Sequence, residues 1–91
     1  MITFSTQVQR VLLEVEKMLV SKNEAYGNSA LDPVRIFSSA DPSEQIRVRI
    51  DDKLSRLARG SDAGEDVIKD LMGYLVLLRI AESPEESNDH G

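Results

Sequence analysis

The run from Val67 to Ile80 limits the fold more than any other part of the chain. Val67, Ile68, Leu71, Met72, Tyr74, Leu75, Val76, Leu77, Leu78 and Ile80 follow so densely that, at about 100° per residue, they cover most of a helix circumference. Such a helix has no solvent face of ordinary width. It is the central helix of the domain, part of an oligomer interface, or both. Asp66, Asp70 and Tyr74 project along one edge, with Gly73 beside them. An interior glycine costs about 1 kcal/mol relative to alanine, so close approach of a backbone or a ligand is expected there. Asp62 and Glu65 have the N-cap and N3 spacing, which starts this helix at about Ala63 and carries it to Glu82.

Two amphipathic helices are available to cover it. Ser5 or Thr6 caps the first, in which Val8, Val11, Leu12, Val15 and Leu19 recur at helical spacing to about Lys22. Leu13 and Val20 make a second stripe, either surface scatter or a subunit interface. Asp41, Pro42 and Glu44 occupy N-cap, N1 and N3 of the next helix, which runs to about Arg59 and is stopped by Gly60. Its seam is Ile46, Ile50, Leu54 and Leu57. Lys53 projects onto that seam rather than the far side, with Arg49, Asp52 and Arg56 on the adjoining flank. Arg47–Asp51 and Asp52–Arg56 have i,i+4 ion-pair spacing.

The fold class is therefore all-α: a small antiparallel helical bundle of three main helices, with a short helical turn at Val34–Phe37 inside the 23–40 connection. Residues 1–82 form a single domain. Residues 83–91 form an acidic tail, expected to be disordered. A 91-residue chain with 4% aromatic residues and no tryptophan has a thin core for a monomer, so oligomerisation is expected to complete it.

Several functions are disfavoured. The net charge is −5, which argues against nonspecific nucleic-acid binding. There is no cysteine, hence no thiolate metal site, in keeping with a cytoplasmic setting. The single histidine, His90, lies in the tail, away from any triad. No apolar run reaches the ~18 residues of a membrane span. Neither a P-loop nor a GxGxxG is present.

Two clusters carry chemistry. Lys53, with Arg49, Arg56 and Lys22, forms a basic set. Asp52, Asp66 and Asp70 form an acidic one. A lysine on an apolar seam must snorkel, pair or hold a ligand. A structural network in which Lys53 pairs with Asp70 explains it. So does a pocket where the bases take phosphates and the aspartates orient them or hold Mg²⁺. The long connection NEAYGNSALDPVRIFSSA supplies Tyr26 for stacking, Gly27 for a positive-φ turn, and Asn28 and Ser29 for the polar edge of a base or sugar. Tyr26 as a packed loop aromatic is the plainer alternative.

The order KNEAYGNS, IRVRIDDKLSRL, EDVIKDLMGYLVLLRI resembles the phage and bacterial family called nucleotide modification associated domain 1. The matching positions are Lys22 with Tyr26-Gly27, Lys53 with Arg56, and Asp70 with Tyr74. That family looks related to MazG-type all-α nucleotide pyrophosphohydrolases. The resemblance implies an oligomer that uses Mg²⁺ to cleave nucleoside triphosphates. Where those enzymes carry E-E-x-x-E, this chain has Asp51-Asp52-Lys53-Leu54-Ser55. Where they carry E-x-x-D, Asp70 is followed by Gly73 and Tyr74. Three functions stay open: a Mg²⁺-dependent pyrophosphohydrolase, a non-catalytic protein that sequesters a nucleotide or nucleotide-derived second messenger, and a helical interaction module. A homodimer or higher homo-oligomer is expected in each.

Overall fold

The computed structural model describes residues 2–31, 41–60 and 64–83. Three helices make up the fold: α1 (Phe4–Tyr26), α2 (Pro42–Arg59) and α3 (Val67–Glu82). No strand occurs among the described residues, and no helix among them is long and apolar enough to cross a membrane. The expected helical turn at 34–37 and the tail beyond Ser83 lie outside the described residues.

The helix ends follow their capping chemistry. Asp41 is the N-cap of α2, its side chain accepting from the Glu44 N–H, and Gly60 closes the helix with φ 68°. Helix α1 starts earlier than its sequence suggests. Thr3, not Ser5 or Thr6, is the cap and accepts from the Thr6 N–H. Helix α1 also continues one turn past Lys22 to Tyr26, because no breaker intervenes before Gly27 (φ 65°). Helix α3 starts later than expected. Asp66 caps it and accepts from the Lys69 N–H, so Glu65 is free for ion pairing instead of serving at N3. Asp62 lies outside the described residues.

Helices α1 and α2 each pack on α3 and hardly touch one another. Lys53 of α2 meets Asp70 of α3, while Arg47 of α2 meets Glu82. The two helices therefore run antiparallel. Lys22 of α1 meets Asp70, and Met18 and Leu19 meet Gly73, so α1 crosses α3 in the same sense as α2. The expected pair Arg47–Asp51 is replaced by contacts of Arg47 with Glu44 and Glu82. A tertiary partner on α3 outcompetes the helix-surface one.

The dense apolar helix sits in the middle, as its composition requires, yet it is not fully covered. Val15, Ile46 and Val67 are the buried apolar side chains among the described residues. Ile68, Leu75, Val76 and Ile80 of α3 remain exposed, as do Leu54 and Leu57 of the α2 seam.

Candidate functional site

Because α1 and α2 lean on α3 without closing on each other, a cleft remains between them. Its floor is the α3 edge carrying Asp70, Gly73, Tyr74 and Leu77. One wall is the last third of α1, with Met18, Leu19, Lys22, Asn23 and Tyr26. The other is the start of α2, with Glu44, Gln45, Ile46, Val48 and Arg49. The space is about 920 Å³, at the upper end of small-molecule sites.

The rim at the C-terminal end of α1 is shaped by a tight turn. The N–H groups of Gly27 and Asn28 both donate to the Asn23 carbonyl, at 2.9 and 3.3 Å. Asn28 follows Gly27 into the left-handed region with φ 64°, a conformation asparagine tolerates better than most residues. The Leu31 N–H then donates to the Asn28 carbonyl. This reversal brings Asn28 and Ser29 to the mouth of the cleft beside Tyr26.

Gly73 sets the depth of the floor. A Cβ built there would lie 2.7 Å from Met18 Cε and 3.2 Å from Leu19 Cδ2. The missing side chain lets α1 approach α3 and leaves the floor low. This is the close approach expected from a glycine at this position.

Lys53 lies behind the cleft rather than in its lining. Its side chain is 12% exposed and reaches Glu65 Oε1 at 3.0 Å and Asp70 Oδ2 at 3.5 Å. Asp70 is thus a counterpart, as the seam geometry suggests, and Glu65 is a closer one. Glu65 also receives Arg56 at 2.9 Å, and Arg56 pairs with Asp52 at 3.2 Å. Asp70 turns its other oxygen, Oδ1, towards Lys22 at 3.9 Å. The network therefore runs Asp52–Arg56–Glu65–Lys53–Asp70–Lys22, ending at the cleft. Arg49 and Arg56 share a flank of α2 but stand about 10 Å apart along the axis. Arg56 consequently meets Glu65, while Arg49 reaches the cleft.

Arg49 differs from three of the four other α2 cations; the fourth, Arg59, also has no carboxylate within 4.0 Å among the described residues but does not line the cleft. Arg47, Lys53 and Arg56 are all ion-paired; Arg49 has no carboxylate within 4.0 Å among the described residues. It lines the α2 wall, with Lys22 on the α1 wall.

The hydrogen bond between Lys53 and Glu65 shifts both groups. It holds the Glu65 carboxyl below its ordinary range, and it raises the Lys53 ammonium against the opposing effect of burial. A carboxylate with a lowered pKa contributes stability above its unfolded value, which is lost as pH falls through the folded one. The melting temperature should therefore drop as pH falls below about 4.5, and Glu65→Gln should make that acid limb shallower. The raised Lys53 acts at the other end: its contribution persists below its ordinary pKa and disappears only as pH climbs through the raised value. A thermal melt series across acid pH checks the first effect, and an unchanged acid limb in Glu65→Gln would contradict it.

The expected site residues thus divide. Lys22, Tyr26, Asn28, Ser29, Arg49, Asp70 and Tyr74 come together in the cleft. Lys53 supports it from behind through Asp70. Arg56 and Asp52 are held further along the network, and Asp66 is the α3 cap. The three aspartates therefore do not fit a Mg²⁺ centre held by protein carboxylates. Among the described residues no three His, Asp or Glu side chains converge. Gln45 joins the cleft without having been singled out. It lies one turn before Arg49 on the same flank of α2, which is the signal that marks it. No family model, curated protein or solved structure matches the chain.

Proposed function

We propose that the cleft binds a nucleotide or nucleotide-derived small molecule and holds it without transforming it. The supporting observation is Arg49, a cation on the cleft wall with no carboxylate partner among the described residues, opposite Lys22. Guanidinium groups take phosphate oxygens through two parallel N–H donors. Tyr26 and Tyr74 offer ring faces for a base. Asn28, Ser29 and Gln45 offer hydrogen bonds to its edge. The cleft lining sets Lys22 and Arg49 against Glu44 and Asp70, and Lys53 behind it also holds Asp70, in a chain that is acidic overall.

The resemblance to nucleotide modification associated domain 1 agrees with this ligand class. Cleavage of the MazG type needs clustered carboxylates around Mg²⁺, and the aspartates here are engaged with lysine, arginine and a helix cap. That favours retention over hydrolysis, as suits a protein that sequesters a nucleotide signal. A homo-oligomer belongs to the same proposal, given the apolar surface that three helices leave bare.

The test is a thermal-shift screen with mono-, di- and cyclic nucleotides, with and without Mg²⁺, followed by identification of the ligand after denaturing the complex. A raised melting temperature and recovery of the intact nucleotide are expected. Release of pyrophosphate would replace binding with hydrolysis. No shift with any nucleotide would leave Lys53 structural and the chain an interaction module.

A further inference from the structure

A cleft that takes phosphate has no evident use for a carboxylate on its floor, and this one has Asp70 there. The two oxygens of Asp70 differ. Oδ2 faces Lys53 Nζ at 3.5 Å. Oδ1 has Lys22 Nζ at 3.9 Å, too far for a hydrogen bond, and accepts none among the described residues. The side chain is 18% exposed. Glu44, the other carboxylate of the lining, is 60% exposed, so water meets its needs. A largely enclosed oxygen without a donor is costly, and the open side of Asp70 is the cleft. A phosphate cannot fill that place, because two anions at contact distance repel. A hydroxyl or N–H of the ligand can.

Helix register shows which part of a nucleotide comes there. Lys22 and Lys53 both reach Asp70, so the three stand at one level. On α1, Tyr26 lies four residues beyond Lys22, about 6 Å towards the mouth, where Asn28 and Ser29 also sit. On α2, Arg49 lies four residues before Lys53, about 6 Å the other way, since α1 and α2 both run antiparallel to α3. Tyr74, four residues after Asp70, is at the level of Arg49. Along the cleft the order is Tyr26 with Asn28 and Ser29, then Asp70, then Arg49 with Tyr74. A nucleotide has the same order of parts: base, sugar, phosphate.

We infer, on the nucleotide reading proposed above, that Asp70 Oδ1 accepts from the vicinal 2′- and 3′-hydroxyls of a ribose, so that the cleft selects ribonucleotides over 2′-deoxyribonucleotides. An O–H donor to a carboxylate makes a charge-assisted bond, and one carboxylate oxygen has lone pairs for both hydroxyls. Lys53, itself held by Glu65 at 3.0 Å, fixes the carboxylate from behind. The acceptor is therefore in place before the ligand arrives. A deoxyribose would cover it and leave it under-satisfied, which is how a polar site rejects an analogue lacking one hydroxyl.

Calorimetric titration of the full chain with ribonucleoside 5′-monophosphates and their 2′-deoxy counterparts, base by base, tests this. Wild type should bind the ribonucleotide of a pair about tenfold or more tightly. Asp70→Asn, uncharged and of the same shape, should reduce that ratio by about threefold or more. Arg49→Ala should weaken both members of the pair alike and leave the ratio as it was. Should Asp70→Asn fail to fold, wild type decides with the 2′-O-methyl ribonucleotide, whose lost O–H should weaken binding as the deoxy sugar does. Equal binding of ribo- and deoxyribonucleotides by wild type, with both weakened in Arg49→Ala, keeps the nucleotide reading and overturns the role of Asp70. A ratio unchanged in a folded Asp70→Asn overturns that role as well. Binding of no nucleotide at all overturns both.

Discussion

Gly73→Leu should destabilise the fold and abolish ligand binding together, while Gly73→Ala should do neither. Two opposing effects decide the alanine variant. Its Cβ would meet Met18 Cε at 2.7 Å and Leu19 Cδ2 at 3.2 Å. The closer of these atoms is the end of a flexible side chain that can swing aside, at a modest cost. Against that cost stands a gain of about 1 kcal/mol from replacing a mid-helix glycine. The sum lies near zero. Leucine adds three further carbons at the crossing of α1 and α3, where the neighbours are helix-anchored on both sides. Overpacking of that kind costs about 1–3 kcal/mol. It also raises the floor between Asp70, Tyr74 and Leu77. Thermal melts with and without nucleotide measure both effects. A Gly73→Leu protein as stable as wild type and still responsive to ligand would show that the crossing does not set the cleft.

Arg49→Ala and Lys53→Ala should have opposite phenotypes, although both remove a cation from one face of α2. Arg49 has no carboxylate partner among the described residues, so its removal should change the ligand-free melting temperature little. It should weaken nucleotide binding by about a hundredfold, the scale of a charge-assisted phosphate contact. Lys53 is mostly enclosed and holds Glu65 and Asp70 at once. Its removal leaves Asp70, itself only 18% exposed, with Lys22 at 3.9 Å as its remaining ion-pair partner among the described residues. The expected cost is about 1–3 kcal/mol of stability, less than for a wholly buried pair because both carboxylates keep some water. Chemical denaturation and calorimetric titration of the two variants separate these outcomes. Equal loss of binding with no loss of stability would make Lys53 a direct phosphate ligand instead of a support.

The seam of α2 shows what periodicity conveys. The projection of Lys53 onto Ile46 and Leu57 foretells an enclosed lysine, and antiparallel packing supplies Asp70 as its partner. Glu65 is harder to see in advance because its spacing from Asp62 also suits a capping box. Whether a carboxylate caps or pairs depends on where the helix starts, and Asp66 takes the cap instead. The density of apolar residues in α3 likewise identifies a central helix. It does not tell which flank stays bare, because that follows from the angle at which α1 crosses. The three aspartates illustrate a further limit. Sequence places Asp52, Asp66 and Asp70 within reach of a shared site, but each satisfies a nearer group. Arg49 emerges as the cation of the α2 cleft wall with no carboxylate partner among the described residues only once the partners of Arg47, Lys53 and Arg56 are known.

The central claim is that Arg49 gives the cleft its preference for phosphate. Calorimetric titration of wild type and Arg49→Ala with the nucleotide of largest thermal shift, and with the corresponding nucleoside, measures that preference directly. Wild type should bind the nucleotide about a hundredfold more tightly than the nucleoside, a difference of about 2.7 kcal/mol, and most of that difference should vanish in Arg49→Ala. Equal affinity for nucleotide and nucleoside in wild type, or a preference undiminished in Arg49→Ala, would contradict the account.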